Sequence, residues 1–360
     1  MREVVALVIY NAEYVGSVEF TVDSPWWNDV EPVVTRLDEI LGVATSVLRL
    51  VSTTGSGMRD GRVTYQVEAA SRPSIPADQP THPADRPAHL ADRAAEAHEP
   101  LRMPWARPGG PAALVAWAAQ HVEVRRAVQV KTWNLSCLYR LETDQGTYWA
   151  KETPPFMADE ATVTSLVRSV DPSLVPDVVA SAPRRTLMRA AEGIDCWHPS
   201  SEVVASIVPR WVGAQAKVAG LDGRQIKTRG VDLPSCGLPN TLLHGDFHPG
   251  NWRSGGIVLD WADAHWGHPA LDAARLISFV GDDVSQELGI ARIWADAWLE
   301  HRPDSDPLQA LRYARPAAHL VGALVYQEFL DCIEESERVY HLGDPEHELE
   351  LARALSAELP

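Results

Sequence analysis

Between residues 71 and 111 the chain reads SRPSIPADQPTHPADRPAHLADRAAEAHEPLRMPWARPGGP, a run that holds nine of its 27 prolines. Each proline removes a backbone donor and fixes φ, so the run excludes a packed sheet or a long helix. It predicts a tether over residues 71–110, with a helical piece near "HLADRAAEAH" (89–98). Whatever folds must fold on either side of it. With 360 residues, 45% of them apolar, the chain has material for two or three cores.

Before the tether, "VVALVIYN" and "YVGSVEFTV" have the β-branched and aromatic content of strands. Ser24 and Pro25 offer an N-cap and a first-turn proline. Val30, Val33, Val34, Leu37, Ile40 and Leu41 then follow at helical spacing, and Gly42 can end the helix. With "TSVLRLV" and "VTYQVEA" this predicts a ββαββ module over residues 1–70. Trp26 and Trp27 at the helix start read as packing of helix onto sheet. The module shows no chemistry.

After the tether, a helix ("PAALVAWAAQHV") precedes strands through "VQVKTWNLSCLYRLETDQGTYWAKETPP", with a turn at Asp144-Gln145-Gly146. "FMADEATVTSLVRSV" reads as helix, and "VPDVVAS" and "RTLMRA" as strands. From about residue 201 the pattern is mainly helical, with helices expected over 284–300, 307–335 and 345–357. The fold class is therefore α+β: a strand-rich lobe over 111–191, then a helical lobe over 192–360. A cleft between two such lobes is the expected place for a ligand.

The formal charge of −17 repels phosphate backbones and anionic membranes, which excludes nucleic acid and membranes as partners and favours cationic ones. Its first meaning is solubility. Cys137, Cys196, Cys236 and Cys332 lie far apart without a CxxC pair, which fits a reducing cytoplasm better than a disulfide framework. No apolar stretch is long enough to span a bilayer, and Asn11 and Glu13 end the first apolar run too early for a signal peptide.

One segment carries chemistry. "LLHGDFHPGNW" occupies residues 242–252 and "IVLDW" residues 257–261. His, Gly, Asp and Asn commonly build turns, yet a string that fixes seven identities exceeds what turn formation asks for. A metal hydrolase would use His244, Asp246 and His248, with Asp260, Asp263, His265 and His268 close behind, as ligands of a transition metal. Phosphoryl transfer instead needs a carboxylate beside the attacking hydroxyl, hard oxygen ligands for magnesium and a cation on the nucleotide phosphates. Asp246 supplies the first, and Asn251 and Asp260 supply the oxygens. Magnesium prefers oxygen to imidazole, which casts His244 and His248 as scaffolding of the loop.

"HGDFHPGNW" with "IVLDW" resembles the catalytic loop and metal motif of the aminoglycoside phosphotransferase family, small-molecule kinases with a protein-kinase-like fold. The resemblance covers roughly residues 111–360 and includes "GHPALDAARLI", with Asp272 in the acidic position that starts a helix. Gly245 stands where protein kinases usually carry Arg. The resemblance implies ATP- or GTP-dependent phosphorylation of a hydroxyl with Mg2+, Asp246 as base, and Asn251 and Asp260 on the metal. It also implies Lys151 in "TYWAKETPP", paired with Glu160, on the α- and β-phosphates. The nucleotide-covering loop falls on "KTWNLSC" (131–137), which lacks glycine, with Ser136 as a phosphate contact. Met188, Arg189 and Ala191 line the adenine segment.

Acids at Asp263, Glu328 and Asp331 and the indole of Trp266 suit a cationic, hydroxylated small molecule such as an amino sugar, aminocyclitol or aminoglycoside-like compound, with neutral sugars and other hydroxylated metabolites as alternatives. The rival from another class is a nucleotide-binding regulator without catalysis, which the glycine-free loop encourages.

Overall fold

A computed structural model describes residues 1–74, 99–221 and 226–359. The piece expected as helix over 89–98 lies outside the described residues. Two compact units emerge. The first comprises Met1–Pro154, Arg185–Leu187 and Phe329–Leu342; the second comprises Pro155–Arg184, Met188–Glu328 and Gly343–Pro360.

The first unit begins with the ββαββ module: β1 (Arg2–Tyr10), β2 (Glu13–Val22), α1 (Glu31–Leu41), β3 (Thr45–Thr53) and β4 (Arg62–Ala69). The sheet order is β2-β1-β4-β3, with β1 and β4 parallel at the centre and antiparallel strands outside. Val4 to Ile9 of β1 are all buried, because α1 covers one face and the other packs Val5 and Leu7 against Val51. A central strand buried on both faces reads as one apolar run, as this one does. Helix α1 packs Val33, Val34, Leu37 and Leu41 inward and ends at Gly42, whose φ is +68°.

The helix starts at Glu31, seven residues after Ser24, with Pro32 rather than Pro25 in its first turn. Residues 26–30 are drawn into bridges instead, Trp26 to Arg59 and Asp29 to Lys131, and those pairings outcompete an earlier start. Trp27 is fully buried and donates to the Asp60 carbonyl at 2.9 Å. Trp26 stays half-exposed beneath the Arg59 guanidinium, 5.3 Å from its ring centre.

The module does not stand apart from the strands that follow. These are β5 (Val124–Trp133), β6 (Ser136–Thr143) and β7 (Gly146–Glu152), preceded by α2 (Gly110–Ala118). Val30 N–H donates to the Val130 carbonyl, Thr132 N–H to Asn28, and the Gln129 amide exchanges two 2.8 Å bonds with Val47. Arg140 forks onto Glu31 at 2.6 and 3.0 Å. Part of the segment expected as tether is folded: Pro104–Ala106 forms a 3-10 turn, and the buried Trp105 indole donates to the Trp133 carbonyl. Strand β9 (Arg185–Arg189) lies beside β7.

Residues 329–342 close this unit with a buried charge cluster. Glu334 meets Arg102 at 3.0 Å and Arg49 at 3.5 Å, while Glu337 accepts the Leu50 N–H at 2.9 Å. Burial and the neighbouring Glu334 push the Glu337 carboxyl up to about 8 from an ordinary value of 4.5. The folded state therefore keeps a proton that the unfolded chain has already lost between those values, and stability falls as pH rises across that window. Glu337→Gln, which keeps the acceptor and removes the titration, should flatten that slope. Urea midpoints of both proteins at about pH 5 and about pH 8 read it directly: the variant should gain on the parent at the higher pH, and equal slopes would refute the cluster's role.

The second unit is mainly helical: α3 (Glu160–Arg168), α4 (Ser201–Val218), α5 (Ala270–Val280), α6 (Asp282–Leu288), α7 (Ile290–His301), α8 (Pro307–Cys332) and α9 (Asp344–Ser356). The last four residues of α8 group with the first unit. Three short strands accompany them, β8 (Val178–Ala182), β10 (Thr241–Leu243) and β11 (His265–Gly267). Asp159 and Ser200 cap α3 and α4 by accepting the N–H groups of Thr162 and Val203. The helix expected over 284–300 is two helices, because Gly289 takes a left-handed φ of +66°. An aromatic block of Trp211, Phe247, Trp252 and Trp261 fills the core, with Trp211 edge-on to Trp261 at 5.1 Å and Phe247 5.0 Å from Trp252. This block backs the motif loop.

Candidate active site

Strands β10 and β11 pair antiparallel, Leu243 opposite His265, and deliver residues 244–252 as a loop. The loop is anchored from below by Asp272, in the first turn of α5. Its buried carboxylate accepts His244 N–H at 2.9 Å, Gly245 N–H at 3.0 Å, the Trp211 indole at 2.9 Å and the Gln215 amide at 3.3 Å. Burial raises this carboxyl to about 6 even against those donors. Gly245 has φ +85°, and a Cβ there would stand 2.2 Å from the Asp263 carbonyl oxygen, so no other residue fits.

His244 is fully buried and pushed down to about 4 by that burial, so it is neutral. Its Nδ1 accepts Asp246 N–H at 3.3 Å, which leaves Nε2–H to donate to the Leu259 carbonyl at 2.9 Å. The imidazole thus ties the loop to the extended segment that leads to Asp260. His248 works similarly: Nδ1 accepts Gly250 N–H at 3.0 Å, and Nε2–H donates to Asp246 Oδ2 at 3.1 Å.

Asp246 is the focus of this arrangement. Arg275, from α5, places Nε at 3.0 Å and Nη2 at 2.8 Å from Oδ1. Asn251 Nδ2 donates to the Asp246 carbonyl at 3.0 Å and to Oδ2 at 3.3 Å. Burial pushes the Asp246 carboxyl up, but His248 and Arg275 outweigh it and hold the group well below the usual carboxylate range. Asp246 is ionised and fixed in position.

Asn251 and Asp260 belong to neighbouring backbone segments: Trp252 bridges Val258, and Leu259 N–H donates to the Asn251 carbonyl at 2.8 Å. Asp260 has φ +63°, a left-handed conformation that costs a non-glycine residue about 1–3 kcal/mol. It persists because Leu259 is held by Asn251 and His244 on one side. On the other, Trp261 N–H donates to Glu160 Oε1 at 3.0 Å. The Asn251 amide nitrogen is committed to Asp246, which turns its oxygen away from that carboxylate. One amide oxygen and one carboxylate, completed by phosphate oxygens and water, suit Mg2+.

They do not suit a transition metal held by histidines. Both ring nitrogens of His244 and of His248 already hold hydrogen bonds, and among the described residues no group of three or more His, Cys, Asp or Glu could hold a metal ion. The hydrolase reading loses its ligands.

Other expected residues fall in varied places. Lys151 is buried on β7 in the first unit, while Glu160 opens α3 in the second. Met188 is half-buried at the end of β9, and Ala191 follows it, also half-buried. Arg189 is exposed and bonds its N–H to the Asp177 carbonyl. Residues 131–137 do not form an open covering loop. β5 and β6 join through a two-residue turn, Asn134 and Leu135, both buried. Ser136 is buried too and accepts the Trp133 indole N–H at 3.1 Å, so its hydroxyl is already engaged.

Of the acids proposed for a cationic substrate, Glu328 is already committed. Glu328 forks onto Lys227 Nζ at 2.8 Å and pairs with Arg229, which leaves a net positive group. Asp331 is exposed and groups with the first unit, while Asp246 belongs to the second. Asp263 is half-buried, its backbone carbonyl receives His265 Nδ1–H, and Trp266 packs half-buried on the core.

Sequence reading missed Arg275 and Trp197. Arg275 was findable, since it stands three residues after Asp272 on one helix and so shares its face. Trp197 lies in an irregular segment with no period to reveal it.

The family model described as the phosphotransferase enzyme family matches residues 224–308. No curated protein sequence matches the chain. Among solved structures, choline kinase LicA from Streptococcus pneumoniae is similar at 14% identity, covering 69% of this chain and 99% of its own, with a TM-score of 0.49. A choline/ethanolamine kinase family protein from Mesorhizobium loti shares 14% identity over 70% of this chain and 95% of its own, TM-score 0.45. A streptomycin–ATP–APH(2″)-IIa ternary complex shares 12% over 64% and 98%, TM-score 0.41. The match to the phosphotransferase enzyme family model, over residues 224–308, includes the whole Asp246 loop.

Proposed function

We propose that the chain transfers the terminal phosphoryl group of ATP or GTP to a hydroxyl of a small molecule. The observation that carries this reading is the Asp246 carboxylate, ionised and clamped by Arg275, His248 and Asn251 within the matched segment. Phosphoryl transfer passes through a loose transition state in which positioning does most of the work. A weakly basic, rigid carboxylate fits it: Asp246 receives the acceptor's O–H, aligns its lone pair on phosphorus and takes the proton late. Asn251 and Asp260 would hold Mg2+, which neutralises charge on the transferred group. Lys151 and Glu160 keep the nucleotide roles that the sequence resemblance implies.

The engaged Glu328 shifts the acceptor class. With Glu328 bound to Lys227 and Arg229, a polycationic aminoglycoside has less to grip than the sequence suggested. A neutral or singly charged polyol fits better. ADP release over a panel of sugars, amino sugars, cyclitols and aminoglycosides tests the reading, which predicts turnover with at least one hydroxylated acceptor and none with its deoxy analogue.

A nucleotide-binding protein without catalysis is the second reading. The buried turn at Asn134 and Leu135 favours it, since no open loop stands there to cover a nucleotide. Nucleotide binding with no ADP release across the panel would select it.

A further inference from the structure

Trp197 is 56% exposed, in a protein whose other large indoles near the loop, Trp211, Trp252 and Trp261, are buried. An exposed tryptophan on a loose loop would mean little, but this one is held. Ser254 N–H donates to the Ile194 carbonyl at 3.0 Å, Ile194 N–H donates to Ser254 Oγ at 3.1 Å, and Asp195 pairs with Arg253 at 2.7 Å. The segment leading to Trp197 is thereby stitched to residues 253–254, just after the Asp246 loop.

The ring is aimed at that loop. Its centre lies 6.0 Å from His248 and 6.1 Å from Phe279, and His248 stacks on Phe279 at 4.0 Å with 12° between planes. Gly250 makes the approach possible, since a Cβ there would stand 2.7 Å from the outer edge of the indole. His248 in turn donates to Asp246. A rigid aromatic face, half open to solvent, thus adjoins the residue that touches the reacting carboxylate. Tryptophan left exposed and immobilised beside reactive groups marks a ligand surface, because burial would otherwise gain its large apolar area.

We propose that Trp197 is the platform on which the acceptor's ring lies, and that the acceptor is a six-membered ring polyol, a pyranose or cyclitol, presenting an apolar C–H face. This rests on the phosphotransfer reading for the acceptor's location, and it adds the ring. A π face attracts the weakly positive C–H groups of such a ring and tolerates varied substituents at its rim. An acyclic polyol offers no flat face and gains no such contact.

The test separates ring binding from turnover. Full-length protein labelled with fluorotryptophan gives a fluorine resonance for Trp197, assigned by its loss in Trp197→Phe. Methyl glucoside, glucosamine and myo-inositol are titrated against the acyclic sorbitol and glucamine. The ring probes should shift the Trp197 signal at about tenfold lower concentration than their acyclic counterparts, the scale of one aromatic contact. For any acceptor turned over, Trp197→Ala should raise its KM about tenfold with the KM for ATP unchanged, and Trp197→Phe should recover part of it. Equal response to ring and acyclic probes would overturn the assignment, as would a rise in the KM for ATP alone, which would place the indole against the nucleotide. The fluorine shift does not need catalysis, so a parent protein that phosphorylates no acceptor of the panel would sink the transfer reading while leaving the ring contact to be judged on its own.

Discussion

Asp246→Asn should reduce turnover by about three orders of magnitude, the usual range for losing a general base, while nucleotide affinity changes no more than a few-fold. The substitution is nearly isosteric, and its amide oxygen can still accept from either Arg275 or His248, so the loop should remain folded. What disappears is the negative charge that draws the acceptor hydroxyl and receives its proton. The loss should appear in kcat and kcat/KM together, because the missing interaction is made in the transition state. Single-turnover kinetics and a nucleotide-binding titration measure the two halves. A variant that binds nucleotide normally and turns over at the parent rate would remove Asp246 from the mechanism.

Asp272→Ala has the second large effect, and here it falls on stability. Truncation leaves the N–H groups of His244 and Gly245 and the Trp211 indole without the acceptor they now share. An unpaired buried donor costs about 1–3 kcal/mol, so a total of about 3–5 kcal/mol is expected. Urea unfolding should show a lower midpoint with an unchanged slope. Activity should fall even below the unfolding transition, because His244 and Gly245 set the height of Asp246. Asp272→Asn restores only part, since its amide must place one donor against other donors. A loss under 1 kcal/mol would mean that the loop is fixed from elsewhere.

The loop over 244–252 was legible in the sequence because its signal is local: Asp246 and Asn251 sit five residues apart, and Asp260 ends the next apolar run. The ββαββ order was legible from strand composition and helical spacing. Three things were not. The start of α1 depends on bridges from Trp26 and Asp29 to residues 33 and 102 positions away, and no local cap signal reports them. The 131–137 segment looked open because it is polar, yet Trp105, Tyr340 and His341 close around Trp133 and Asn134 from distant parts of the chain. Glu328 looked available to a cationic substrate because its partners, Lys227 and Arg229, stand about a hundred residues earlier. In each case a long-range contact decided what a short window left open.

The claim at the centre is that this chain moves a phosphoryl group onto an alcohol oxygen at Asp246. ATP labelled in its terminal phosphate, incubated with magnesium and the acceptor panel, tests it most directly. The account predicts label in a phosphate monoester of the acceptor, one equivalent of ADP for each, and neither product from Asp246→Asn. Label released only as inorganic phosphate, or a labelled monoester formed equally well by that variant, would contradict it.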